Sequence, residues 1–184
     1  MKLKKFFSIQ RMCVMALFVA LQIVLSRYLS YQLSHSTRIS LANVPNILAG
    51  LWLGPISGGV VALVSDVLGM LLQPSSGVYF PPLTLAPILL AVGAGYFVRW
   101  LPGKRKGWAV AAAVLLGEIL SALYGSLALT WYYQLFVKQI TFWEMLVLRM
   151  PWKLVLAVLD TVVCSLLHKC MYERVIRRNI TYEL

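Results

Sequence analysis

The central stretch of the chain, residues 41–85, most constrains the fold. It reads LANVPNILAGLWLGPISGGVVALVSDVLGMLLQPSSGVYFPPLTL, apolar almost throughout, with a single acid, Asp66, in its middle. Proline and glycine interrupt it at 43–45, 54–55 and 73–77. Such a stretch is too apolar for a soluble loop, and its interruptions exclude one continuous membrane span. We expect a short helix, a tight turn, a full-length helix and then a structured loop.

Composition places this stretch in an integral membrane protein. Of the 184 residues, 60% are hydrophobic and only 12% are charged, about half the charged share of a soluble domain. The net charge of +11 is carried by short basic clusters between apolar runs, which is typical of the cytoplasmic flanks of membrane helices. No continuous basic face follows a phosphate backbone, so we expect no nucleic acid as a partner.

The apolar runs predict an all-α integral membrane protein with six transmembrane helices in a single membrane domain, 1–184. The predicted helices are about 8–31, 43–53, 55–73, 83–101, 107–133 and 149–174. The second is shorter than a span at 1.5 Å per residue, and a half-helix at membrane depth must be covered by protein or line a cavity. Basic clusters at the N-terminus, at 99–106 and at 169–178 fall on one side, so we expect both termini to be cytoplasmic.

Two polar segments, 28–40 and 134–144, are expected to form loops on the external side. The first is irregular in sequence and long enough to act as a lid over the external face. Arg38 within it is a candidate lid contact.

Charged residues inside apolar helices are functional candidates, because each is costly in a bilayer unless it is paired or hydrated. The deep acids are Asp66, Glu118 and Asp160, and the cations nearer the external ends are Arg27, Arg149 and Lys153. In one interpretation the cations bind an anionic or polar ligand from outside, and the acids are structural. In the other, the acids relay protons in an autonomous carrier; the lack of a histidine at the same depth favours the first. Simple snorkelling to the interface is the alternative for Arg27, Arg149 and Lys153, and it fits Lys153 best and Arg149 least.

Enzyme signatures are absent from the sequence. There is no nucleophile–base arrangement, no P-loop and no metal-ligand spacing, and the three cysteines read as small hydrophobes in apolar runs. We therefore expect no catalysis, no ATP hydrolysis by this chain, no metal and no cofactor. A non-transporting membrane scaffold that binds no small ligand is a further alternative.

Small residues recur every four positions in the first helix, at Ala16, Ala20 and Val24. They lie on one helix face and allow another helix to approach closely. From spacing alone, packing inside the same bundle is the favoured interpretation.

Three motifs carry a family resemblance: LWLGP followed by Gly-Gly at 51–59, DVLG at 66–69, and YFPPLTL at 79–85. Together they resemble the substrate-binding (S) subunits of energy-coupling factor (ECF) vitamin transporters, most of all the folate-specific members. The resemblance covers nearly the whole chain. It implies capture of folate or a related vitamin from outside a bacterial cell, and association with a transmembrane coupling subunit and two ATPase subunits. It also implies that Ala16 and Ala20 pack on the coupling subunit.

Folate has a planar pterin and an anionic tail, so its site needs an apolar slot, a few hydrogen-bonding groups and cations. The candidates are Tyr79, Phe80, Trp131 and Tyr132 for the slot, Asn43 and Thr84 for the pterin edge, and Arg27 and Arg149 for the pterin carbonyl or the tail carboxylates. For each aromatic residue, a place in the interfacial belt is the alternative. An S subunit for another vitamin is the alternative to folate.

Overall fold

The computed structural model describes residues 9–27, 31–34, 37–39, 41–72, 81–101, 107–136 and 141–171. In these ranges the chain forms six α-helices and one β-hairpin. The elements are α1 (Ile9–Arg27), β1 (Tyr31–Ser34), β2 (Thr37–Ile39), α2 (Asn43–Leu53), α3 (Pro55–Leu72), α4 (Pro81–Trp100), α5 (Gly107–Phe136) and α6 (Phe142–Met171).

Five of the described helices, α1, α3, α4, α5 and α6, are long and apolar enough to cross a membrane. The chain is therefore a multi-pass helical membrane protein. The remaining helix, α2, has 11 residues and is about 16 Å long at 1.5 Å per residue, roughly half of a hydrocarbon core.

The turn between α2 and α3 is built on Gly54 and Pro55, as the sequence predicts. Gly54 has φ = 101°, a conformation that side-chain-bearing residues rarely adopt. Pro55 then begins α3, a position where the missing N–H is not needed. The Gly58 N–H donates to the Gly54 carbonyl at 2.9 Å and starts the hydrogen-bond ladder of α3.

The half-helix α2 lies inside the bundle, in contact with α1, α3, α4 and α6. It is buried along nearly its whole length, and only Asn43 and Leu51 are partly exposed. Its neighbours approach the backbone itself: a Cβ at Gly95 would lie 2.5 Å from the Gly50 carbonyl oxygen. A half-helix that is covered by protein in this way satisfies the requirement for irregular structure at membrane depth.

The segment 28–40 differs from the expected irregular loop. Strands β1 and β2 pair antiparallel, with Tyr31 opposite Ile39 and Gln32 opposite Arg38. The pairing satisfies backbone groups that an irregular segment would leave to water. Arg38, the candidate lid contact, therefore lies on a strand of this hairpin.

The last helix begins at Phe142 instead of near 149, so the predicted loop 134–144 is shorter than expected. The reason is local: the Glu144 carboxylate accepts a hydrogen bond from the Thr141 backbone N–H at 3.1 Å. A glutamate that reaches back to the residue before the helix is one half of a capping box and stabilises a helix start.

Candidate functional site

A cluster of polar side chains lies where the start of α2 meets α5 and α6. The Asn43 side-chain nitrogen Nδ2 donates to Glu118 Oε1 at 3.3 Å and to Asp160 Oδ2 at 3.2 Å. Both carboxyl groups therefore lie against the same amide nitrogen. Glu118 is 3% exposed and Asp160 is fully buried, so this cluster faces the bundle interior instead of lipid.

Two cations of α6 lie beside these acids. Lys153 is attracted by both Glu118 and Asp160 and is repelled by Arg149. Arg149 Nη1 donates to the Gly125 carbonyl of α5 at 3.3 Å. Among the described residues Arg149 Nε has no hydrogen-bond partner, although it is buried. The interior thus holds an acidic part near Asn43 and a basic part toward the start of α6.

The helical repeat explains why α6 carries these groups on one face. Positions 149 and 153 are one turn apart, and 160 lies about two turns further on. An apolar helix can hold such charges only when they face a protein interior that compensates them.

Three of the other predicted site residues, Thr84, Trp131 and Tyr132, lie within α4 and α5. Thr84 is buried near the start of α4. Tyr132 is partly buried in α5, with its ring 5.9 Å from the Tyr133 ring in an edge-on arrangement. Trp131 is 63% exposed, which fits the interfacial-belt alternative.

The remaining candidates are Arg27, Tyr79 and Phe80. Arg27 is the last residue of α1. Tyr79 and Phe80 lie outside the described residues.

Sequence reasoning missed the contacts among the deep groups. It assigned Glu118 and Asp160 to structural roles as hydrogen-bonded acids and gave snorkelling as the alternative for Lys153. The structure brings the two acids together at Asn43, with Lys153 attracted by both. The spacing of the charged positions on α6 was the available signal. Asp66 is not one of the acids that accept a hydrogen bond from Asn43. It lies on α3, which packs mainly against α1, α2 and α4, whereas Glu118 and Asp160 lie on α5 and α6.

Spacing alone favoured packing of the small-residue stripe of α1 inside the same bundle. In the described bundle this stripe does not pack inward. Ala16 and Ala20 are exposed, next to Leu17 at 67% and Leu21 at 45% exposure. The opposite face carries Phe18, which is buried in the core against Trp52 with ring centroids 5.8 Å apart. Helix α1 therefore anchors one face in the bundle and leaves the small-residue face open.

Residues 10–168 match the model of the family described as ECF transporter, substrate-specific component. The chain therefore belongs to this family: it is a substrate-binding component of an ECF transporter, a transporter subunit and not an enzyme. The match confirms the family that the motifs at 51–59, 66–69 and 79–85 indicate.

Among curated proteins, the chain is similar to the folate transporter FolT of Clostridium novyi (strain NT), with 41% identity over 86 residues. The alignment covers 47% of this chain and 49% of that relative. The matched part thus spans about half the length of the relative.

Two solved structures share the fold. The crystal structure of FolT bound with folic acid superposes with a TM-score of 0.72 at 25% identity, over 88% of this chain and 94% of that chain. A structure of the S component of a bacterial ECF transporter superposes with a TM-score of 0.60 at 18% identity, over 94% of this chain and 98% of that chain. The second likeness concerns the fold alone.

Proposed function

We propose that this chain captures folate from the external side of a bacterial cell membrane for ATP-driven import. The observation that carries the proposal is the likeness to FolT, in the sequence of one relative and in the fold of a folic-acid-bound structure. The interior of the bundle supports it, because partly buried cations and hydrogen-bonding groups occur together near the start of α2. A ligand with a polar ring and an anionic tail needs both kinds of group.

The site residues follow from this ligand. We assign Asn43 and Thr84 to the pterin edge, Arg27 and Arg149 to carbonyl or carboxylate groups, and aromatic side chains to the ring faces. The aromatic candidates are Tyr79, Phe80, Trp131 and Tyr132. A separate observation supports Arg149. Its Nε atom is buried and has no hydrogen-bond partner among the described residues, which costs free energy unless a ligand supplies an acceptor.

The partners follow from the family. A substrate-binding component without an ATPase motif requires separate subunits to drive import, so we propose a transmembrane coupling subunit and two ATPases. The exposed small-residue face of α1, with Ala16 and Ala20, supports a contact there because it lets a partner helix approach closely. We also propose that 1–184 form one membrane domain with six crossings, α2 included, and with both termini cytoplasmic.

Calorimetric titration of the purified protein in detergent tests folate capture. Folate should bind with saturable heat, and pterin absorbance should co-purify with the protein. Thiamine and biotin are the control ligands and should give no heat. Binding of a control vitamin in place of folate would move the proposal to another S-subunit specificity, and binding of no small ligand would favour the scaffold alternative.

A second candidate is an autonomous proton-coupled carrier, which the position of Glu118 and Asp160 against the same Asn43 nitrogen favours. Against it, Asp66 lies on α3, which packs mainly against α1, α2 and α4 and not against the α5 and α6 that carry the other two acids, so the three acids do not form one chain in the described residues. Uptake of labelled folate by proteoliposomes without ATPase subunits would support this carrier. Uptake that requires both ATP and the coupling module would exclude it.

A further inference from the structure

The orientation of the Asn43 side chain restricts what it can offer to a ligand. Both hydrogen bonds that the described residues make with this side chain are donated by its nitrogen, one to each of two carboxyl groups. An amide nitrogen carries two hydrogens, so both donors are in use. Only the amide oxygen is left for a further partner, and it can only accept.

The two acids determine this orientation. A carboxylate accepts hydrogen bonds, so the amide must turn its nitrogen toward Glu118 and Asp160. Rotating the amide by half a turn would place its oxygen against two acceptor groups, which is unfavourable in a buried site.

A second acceptor without a partner among the described residues lies on the Asp160 carboxyl group. Asp160 Oδ2 receives the hydrogen bond from Asn43, whereas Oδ1 is buried and has no hydrogen-bond partner among the described residues. Asp160 itself is fully buried, so leaving this oxygen unsatisfied has a cost that an arriving donor removes. The cluster around Asn43 is thus rich in acceptor oxygens, which favours a donor such as a primary amino group as the group that Asn43 binds.

We propose that the Asn43 Oδ1 atom accepts a hydrogen bond from the amino group of a 2-amino-4-oxopyrimidine ring, and that Glu118 and Asp160 act as positioning residues for the Asn43 amide. The inference rests on the proposed capture of folate, whose pterin contains this ring. It orients the pterin with its amino edge toward the start of α2. The basic part of the interior, at Arg149 and Lys153, then faces the acceptor groups of the ligand.

The test compares folate with 2-desamino-folate, in which a hydrogen replaces the amino group. Both affinities are measured by calorimetry for the wild type and for Asn43→Ala. The wild type should bind folate about 10-fold more tightly than the analogue, because the analogue leaves buried acceptors unpaired. In Asn43→Ala this ratio should fall close to one, with most of the loss in the affinity for folate.

Glu118→Gln and Asp160→Asn test the positioning role. Each replaces a pure acceptor with an amide that can also donate, so the Asn43 amide loses its fixed orientation and the ratio should fall. Asp66→Asn is the matched control, an acid on α3 outside the cluster, and should leave the ratio unchanged. A role limited to structure would lower both affinities equally and keep the ratio.

The outcomes separate this inference from the proposed function. Wild-type protein that binds folate and the analogue equally well overturns the inference and leaves folate capture standing. A ratio that persists in Asn43→Ala, or in Asn43→Ser if the alanine variant fails to fold, also overturns it. Wild-type protein that binds neither compound overturns the proposed function and the inference with it.

Discussion

Asn43 joins two buried carboxyl groups through the two hydrogens of one amide. The acids are in turn attracted by Lys153, with Arg149 one helical turn away from it. Each group alone would be costly inside an apolar bundle, but together they compensate one another. At the residue scale, the stability of this interior therefore depends on the whole set being present.

Removing one acid should destabilise the protein strongly. Asp160→Ala leaves Lys153 with less opposing charge and one donor of Asn43 without its acceptor, and breaking a buried pair costs about 3–5 kcal/mol. Thermal unfolding in detergent should show a large fall in the midpoint for this variant. Asp66→Ala, at a partly exposed acid of α3, is the control and should shift the midpoint much less. Equal shifts would contradict a compensated cluster.

Replacing Arg149 should weaken ligand binding. Arg149→Met removes a charged donor, and the loss should be about 1.5–3 kcal/mol of binding free energy for folate. Arg149→Lys keeps the charge but not the planar fork, so it should restore only part of the affinity. Calorimetry measures both variants. Lys169→Met, at an exposed cation near the other end of α6, should bind folate like the wild type; an equal loss there would mean that net charge alone acts.

At the scale of single elements, α2 depends on glycine at its contacts. A Cβ at Gly50 would overlap the Ala91 carbonyl group of α4, and a Cβ at Gly58 would lie 2.5 Å from the Gly50 Cα. The obstacles are backbone atoms, which cannot move aside as a flexible side chain can. The half-helix therefore stays at the depth that holds Asn43 against the acids.

Gly50→Ala should push α2 and α4 apart. We expect a loss of at least about 1–3 kcal/mol of stability, the usual cost of overpacking, together with weaker folate binding because Asn43 moves with α2. Gly107→Ala is the matched control, since a Cβ there meets nothing within 4 Å. Thermal unfolding and folate titration of the two variants check this. A Gly50 variant as stable as the Gly107 variant would contradict the close contact.

The exposed small-residue face of α1 allows a test that separates folate binding from assembly with the coupling module. Ala20→Phe adds bulk at an exposed position, so the isolated protein should fold and bind folate normally. The same bulk should block close approach of a partner helix and reduce co-purification with the coupling module. Leu63→Phe, at a 45% exposed position on α3, is the control. If Ala20→Phe assembles as well as this control, the α1 face is not the contact.

At the scale of the whole molecule, the number of crossings decides where the termini lie. The five long helices among the described residues would by themselves place the termini on opposite sides of the membrane, whereas counting α2 as a sixth crossing places both inside. A single cysteine added at either end of a variant lacking the native cysteines should react with a membrane-impermeant reagent only after the cells are opened. Labelling of one terminus in intact cells would contradict six crossings.

Much of this architecture is readable from the sequence because it follows from local chemistry. Gly54-Pro55 specifies the turn between α2 and α3 through a positive φ and a missing N–H, and the bounds of α2 agree with prediction. The start of α6 was predicted too late, since the capping contact of Glu144 lies in a polar segment that resembles a loop. Pairing of β1 with β2 was missed because strands of so few residues carry almost no periodic signal.

The sequence by itself determined that the chain lies in a membrane, which family it belongs to, and which charges stand inside apolar helices. These properties depend on composition and short motifs, and a bilayer constrains both strongly. Only the tertiary structure decided that Asn43 meets Glu118 and Asp160, and that Ala16 and Ala20 face outward. Both depend on how each helix is rotated and how deep it lies in the bundle. An apolar helix surface does not specify either one, so contacts between segments distant in sequence select the arrangement.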